Sequence, residues 1–321
     1  MNFTLLGCGR WGSFIAWYLN EQKHNVTVWG RKGDPIFDDL AITHKNEYVT
    51  LSKDIKLTNN LADAMEKSDY IIISINAQGV RDLMGNVSQV KGYDNKKFIL
   101  CMKGIEDETG KRLSEILIEF GVNKNNIAVW VGPGHIQAFT QGVPSVMIVD
   151  SYNKELSKTL VTTLKSNLID FYQGEDIVGS EIGAAAKNVM GLAAGMFDGL
   201  GFPTLKGGLM ARGTYEISKL IGACGGNPLS AYGLCHLGDY EATLFSPYSH
   251  NRMWGENFVK GKSFSKLAEG VPTCSALLKL AKLHNVNMPI TKAIFDFIHG
   301  TATAQDLISS MFAGSHLKEF E

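Results

Sequence analysis

Between residues 2 and 29 the chain runs through a short apolar stretch, a glycine turn, an amphipathic stretch and a second apolar run. The turn lies in "LLGCGRWGSF", Leu5 to Phe14, and the second run is "HNVTVWG", where Val26 and Val28 alternate. Strand, turn, helix and strand within about thirty residues make a β-α-β unit, whose two strands lie parallel. The alternation continues. "YIIISI" (70–75), "FILCMK" (98–103), "IAVWVG" (127–132) and "SVMIVDS" (145–151) are apolar, separated by "NLADAMEKS", "AQGVRDLMGNV" and "KRLSEILIEF". Strands without a polar side belong to a sheet covered on both faces. From about Gly179 the pattern turns helical, in "SEIGAAAKNVMGLAAGMFDGL", "KGGLMARGTYEISKLIGACG" and "SALLKLAKLHNV". The sequence predicts an α/β Rossmann-type domain with a mostly parallel sheet over residues 1–177, then an all-α domain over 178–321.

A chain of 321 residues exceeds one ordinary domain, which agrees with two. A formal net charge of −1 gives no reason to expect nucleic acid or an anionic membrane as partner. The five cysteines, Cys8, Cys101, Cys224, Cys235 and Cys274, are scattered and odd in number, as free thiols in a reducing compartment would be. Phe3 to Leu6 is too short for a signal or a membrane span, so a cytoplasmic protein is expected.

The pattern G-x-G-x-x-G also occurs in ordinary turns, but here it follows a strand and opens a helix. Gly7 then permits the tight turn, Gly9 lets a pyrophosphate approach the main chain, and Gly12 lets the helix pack on the sheet. Past the second strand the chain reads "WGRKGD". A strict NAD site has an acidic residue there, whereas Arg31 and Lys32 suit a 2′-phosphate, so NADP is favoured. Asp34 keeps NAD open, and the two cations have an alternative as solvated loop charges.

A dehydrogenase also needs a group that moves a proton. Lys187 in "GAAAKNVMG" stands among small apolar residues with no carboxylate within five positions. Desolvation there would lower its pKa; a lysine reaching the surface is the alternative. Lys103 ends a predicted parallel strand, where ligand crevices form, and "GPGH" (132–135) follows another. "GDYEATLFSPYSHNRMWG" (238–255), with Asp239, Thr243, Asn251 and Arg252, is either a plain loop or the substrate side of a cleft. His236 and Asp239 have no second histidine beside them, so no metal site is expected.

"GCGRWG", "VWGRK", "KGIEDETGKRLSEIL", "GVPSVMIVDS", "EIGAAAKNVMGLAAGMFDGLGF", "ARGTYEISKL", "LGD", "HNRMWG" and "AEGVPTCSALLKLA" occur in that order. In this the chain resembles the bacterial NAD(P)-dependent glycerol-3-phosphate dehydrogenases from residue 2 to about 290. The resemblance implies a cytoplasmic homodimer that interconverts dihydroxyacetone phosphate and sn-glycerol 3-phosphate for phospholipid synthesis. It implies that Lys187 is the catalytic proton donor or acceptor and that Lys103 meets both cofactor and substrate. Arg10, Trp11 and Arg31 would join the glycines at the cofactor, with Glu269 closing on it. Gly132, Asp239, Thr243, Ser249 and Asn251 would line the substrate pocket. Two positions depart from the family: Gly134 stands where a serine is usual, and His250 precedes Asn251 and Arg252 where an arginine grips the phosphate. A neutral imidazole is a weaker phosphate ligand than a guanidinium. Two other readings therefore stand beside the first: a related dehydrogenase acting on another small hydroxy compound, and a non-catalytic nucleotide sensor.

Overall fold

The computed structural model describes residues 1–310; positions 311–321 of the expected second domain lie outside the described residues. Its strands are β1 (Asn2–Leu6), β2 (Asn25–Trp29), β3 (Lys56–Thr58), β4 (Tyr70–Ile73), β5 (Lys97–Leu100), β6 (Ile127–Val131), β7 (Ser145–Ser151) and β8 (Ile169–Gln173). They form one sheet in the order β3-β2-β1-β4-β5-β6-β7-β8. Every pairing is parallel except β6 with β7. The order reverses between β1 and β4, and in such sheets ligands bind beyond the carboxyl ends of the strands at that switch.

Helices α1 (Arg10–Glu21) and α2 (Pro35–Thr43) follow the first two strands. Next come α3 (Leu61–Glu66), α4 (Val80–Val87), α5 (Leu113–Glu119), α6 (Ile136–Thr140) and α7 (Lys154–Leu164). Ile71, Ile72 and Ile73 of β4 are fully buried although successive side chains point to opposite faces, so the sheet is covered on both sides there. Each such side chain contributes about 1.5–3 kcal/mol relative to exposure. The sequence did not point to β3 or β8. The first is three residues long, and the second is an edge strand that buries Ile169 and Phe171 but exposes Asp170 and Tyr172.

By contact density the chain forms two units: Met1–Lys103 with Arg112–Ile177, and Gly104–Lys111 with the described residues from Val178 onward. The segment Gly104–Lys111, read from sequence as part of the first domain, therefore belongs to the second unit. Ile105 is fully buried in the helical core, and Lys279 pairs with the Asp107 carboxylate at 3.2 Å.

The second unit holds α8 (Ile177–Leu200), α9 (Leu205–Ala223), α10 (His250–Val259), α11 (Gly270–Leu283), α12 (Pro289–Ile298) and α13 (Ala304–Ser310). α8 is its central helix, buried continuously from Gly179 to Phe197, as expected of a helix apolar on all sides. Glu216 of α9 accepts hydrogen bonds from Ile290 N (2.8 Å), Thr291 N (2.9 Å) and Thr291 Oγ1 (2.7 Å), so a side chain from another helix satisfies the first amides of α12. Among the described residues no helix is long and apolar enough to cross a membrane.

Candidate active site

The glycine turn lies at the β1/β4 switch. Gly7 has φ +119°, and a Cβ there would overlap the Ser74 carbonyl that follows β4. A Cβ on Gly12 would overlap the Gly7 carbonyl, so α1 can leave the turn only without a side chain at that position. Gly9 is different: a Cβ there would meet nothing within 4 Å. Gly9 caps α1 without any side-chain cap, and the first turn of the helix carries no acidic residue. Amides at the positive end of a helix dipole, beside space that a side chain would fill, fit the pyrophosphate of a dinucleotide. Arg10 is exposed at the head of α1, and Trp11 is half-buried against Phe14 and Phe139.

At the end of β2 the Arg31 side chain is 80% exposed and lies 3.6 Å from Asp34, a loose pair that a phosphate can displace. The Asp34 carboxylate accepts from Ile36 N at 3.0 Å and so caps α2. Lys103 Nζ donates to the Gly132 carbonyl at 2.7 Å, which joins two residues expected at the site from the ends of β5 and β6. A Cβ on Gly134 would lie 2.5 Å from ring carbons of Phe139. The ring that stacks on Phe14 (5.0 Å between centroids) thus occupies the space a serine would need.

In the second unit Lys187 is not surrounded by apolar groups alone. Its Nζ lies 2.9 Å from Asp239 Oδ2 and 2.6 Å from Thr243 Oγ1, with the lysine and aspartate side chains 9% and 1% exposed. Thr243 spends its one hydroxyl proton on the Asp239 carbonyl at 2.7 Å, so toward Lys187 it acts only as an acceptor. Residues 238–255, read as either a plain loop or the substrate side of a cleft, are largely helical, with a break at 246–249. A 3₁₀ turn (Leu237–Asp239) and a π-turn (Glu241–Phe245) lead toward α10. The π-turn brings Thr243 onto the lysine; such turns recur at functional sites.

α10 packs on α8 with almost nothing between the backbones. A Cβ on Gly195 would overlap the Arg252 carbonyl, and one on Gly255 the Leu192 carbonyl. A Cβ on Gly191 would lie 2.9 Å from Thr243 and 3.2 Å from Asn251. The start of α10 therefore lies close to the turn of α8 that follows Lys187. Ser249 is the cap of α10, accepting from Arg252 N at 3.3 Å. Asn251 uses both ends of its amide, donating to Asn188 Oδ1 (3.0 Å) and accepting from Gly270 N (2.9 Å). That bond ties α10 to the start of α11, beside half-buried Glu269. Arg252 Nε lies 2.7 Å from Asp198, which also holds Lys206 at 2.6 Å, and another guanidinium nitrogen lies 3.4 Å from Glu256. His250 Nδ1 is 3.3 Å from the Leu267 carbonyl.

Family models for the N-terminus and the C-terminus of NAD-dependent glycerol-3-phosphate dehydrogenase match residues 2–157 and 176–309. A glycerol-3-phosphate dehydrogenase of the NAD(P)+ type from Thermoanaerobacter is 33% identical over 310 residues, which cover 93% of this chain and 92% of that one. The chain belongs to this family. A second family member, from Prosthecochloris aestuarii, is 32% identical over 322 residues, 96% of each chain. The glycerol-3-phosphate dehydrogenase structure from Coxiella burnetii shares the fold, with a TM-score of 0.89 at 22% identity over 98% of this chain and 99% of that one. Within this glycerol-3-phosphate dehydrogenase chain, the structure joins Lys187, Asp239 and Thr243 in the second unit and Lys103 with Gly132 in the first. It gives Ser249 and Asn251 hydrogen bonds within the helical core and Arg252 two carboxylate partners. Sequence reasoning passed over Asn188 and Asp198, whose roles depend on partners more than fifty positions away. Among the described residues no cluster of three or more histidine, cysteine, aspartate or glutamate side chains is placed to hold a metal.

Proposed function

We propose that this chain reduces dihydroxyacetone phosphate to sn-glycerol 3-phosphate, and runs the reverse reaction, with NADPH or NADH. The product feeds phospholipid synthesis, and the enzyme works in the cytoplasm as a homodimer. The observation that carries the reading is the buried Lys187–Asp239–Thr243 cluster in a chain of this family. When bound, the nicotinamide supplies or accepts a hydride at the carbonyl carbon. Lys187 Nζ delivers the matching proton to the carbonyl oxygen, or takes it back in the reverse direction. Asp239 and Thr243 aim the ammonium group, so it reaches the substrate already oriented. Gly7, Gly9 and Gly12 receive the pyrophosphate, with Trp11 and Arg10 beside it, Glu269 serves as a further cofactor contact, and Lys103 meets cofactor and substrate. Gly132, Gly134, Ser249, His250, Asn251 and Arg252 line the substrate side. NADP is the preferred form, because Arg31 is loosely paired while Asp34 is engaged as a helix cap.

A second reading, a sister dehydrogenase for another small hydroxy compound, is favoured by two observations. Phe139 fills the space of a serine at Gly134, and Arg252 is already held by Asp198 and Glu256. Oxidation of NADPH and NADH with dihydroxyacetone phosphate, beside a panel of unphosphorylated ketones and keto acids, separates the two. Strong preference for the phosphorylated ketone supports the first reading, and activity confined to other ketones replaces it with the second.

A further inference from the structure

Two fully buried groups behind Lys187 are not needed for moving a hydride or a proton. His236 Nδ1 lies 2.8 Å from the Gly183 carbonyl, and its Nε2 lies 2.6 Å from the Tyr240 hydroxyl. A carbonyl only accepts, so Nδ1 carries the ring proton and Nε2 accepts from the tyrosine. Gly183 stands one helical turn before Lys187, so the same carbonyl also receives the lysine's own backbone amide. The Tyr240 hydroxyl is met in turn by Thr214 Oγ1 of α9 at 3.4 Å. The charged groups facing this pair are Lys187, Asp239 and, toward Tyr240, Glu216.

The pair encloses the segment that carries the lysine's partners. The Asp239 amide donates to the His236 carbonyl at 3.0 Å, and Tyr240 is the next residue. A Cβ on Gly183 would lie 3.1 Å from the His236 Cβ, so the segment sits directly on α8. We infer that His236 and Tyr240 are positioning residues for the reaction: they fix residues 236–243 against α8 and thereby hold Asp239 and Thr243 on Lys187 Nζ. The inference rests on the reading of Lys187 as the proton-transfer group. The sensitivity is large in principle, since a displacement of about 1 Å at a reacting group can cost about a hundredfold in rate.

Tyr240→Phe removes the hydroxyl that meets His236 and Thr214 and keeps the ring; His236→Phe removes both hydrogen bonds of the imidazole, and His236→Asn restores a donor toward Gly183. Each is assayed with whichever ketone the wild type reduces, below its own melting temperature. The expected result is a fall in kcat of about tenfold or more with KM for the nicotinamide cofactor little changed. The limb of the pH–rate profile that reports Lys187 shifts as well, and His236→Asn recovers more activity than His236→Phe. A lowered melting temperature with kcat and pH profile intact makes the pair merely structural and overturns the inference. Should His236→Phe not fold, Tyr240→Phe decides alone. Should the wild type reduce no ketone, the proposed function fails while the inference stays testable. The 15Nζ resonance of Lys187, assigned with Lys187→Arg, must then titrate differently in Tyr240→Phe, and an unchanged titration overturns it.

Discussion

Replacing Lys187 with alanine tests catalysis and stability through one contact. The lysine and Asp239 meet at 2.9 Å with side chains 9% and 1% exposed, so neither charge has much water to fall back on. Alanine removes the cation opposite a buried carboxylate, which costs about 3–5 kcal/mol when one partner of a buried pair is lost. At about 2–4 °C per kcal/mol for a protein of this size, melting should fall by roughly 6–20 °C. Turnover should fall by about 10²–10⁴, the contribution of a positioned acid or base. The two losses have separate remedies. Adding Asp239→Asn to Lys187→Ala removes the uncompensated charge and should recover most of the melting temperature, yet none of the turnover. Thermal unfolding by circular dichroism and NADPH oxidation with dihydroxyacetone phosphate at 25 °C measure both quantities. A single mutant that melts with the wild type would refute the buried-pair reasoning, and near-normal turnover in the folded single mutant would remove Lys187 from the mechanism.

Arg31→Ala should raise KM for NADPH about tenfold or more, as loss of a charged hydrogen bond implies, and leave KM for NADH nearly unchanged; equal losses would exclude a 2′-phosphate role. Gly134→Ser should destabilise the chain by about 1–3 kcal/mol through overpacking against Phe139, and Phe139→Leu in the same chain should relieve it; thermal melts of both variants decide. Burial holds His236 at a pKa of about 4, below the ordinary 6.5 of an imidazole. Its contribution is whole above about pH 6.5 and drains away as pH falls toward 4, up to about 3 kcal/mol. Urea titrations from pH 7 to 4 should therefore show the wild type losing its advantage over His236→Phe. Gly255→Ala should push α10 off α8 and lower both melting temperature and kcat, whereas unchanged values would mean that the crossing gives way without cost.

The sheet was legible because β1 and β4 to β7 are predominantly apolar runs and β2 shows the alternation of Val26 and Val28. β3 and β8 were not legible, since three residues carry no period and an edge strand needs only alternate apolar positions. The glycine turn was readable because its pattern answers steric demands, which the structure shows at Gly7 and Gly12 but not at Gly9. Lys187 was readable too, but its environment was not. No carboxylate stands near it in sequence, yet one from 239 lies against it, and nothing local in "GAAAKNVMG" could have said so. The same limit applies to Ser249, Asn251 and Arg252. Their residue types suggested a ligand surface, and only the folded chain gave them a cap, a helix tie and a carboxylate.

The excursion of Gly104–Lys111 into the helical unit constrains how this protein can be divided. A gene cut at residue 177 gives two pieces that look like tidy halves on paper. The downstream piece would lack Ile105, leaving a hole in its interior, and Lys279 would have lost Asp107. The upstream piece would carry those eight residues as an internal loop whose one large apolar side chain, Ile105, had lost the core that buries it. Neither half is therefore a self-sufficient module. Swapping the cofactor half for another, by recombination or by design, requires moving this short loop together with the helices it completes.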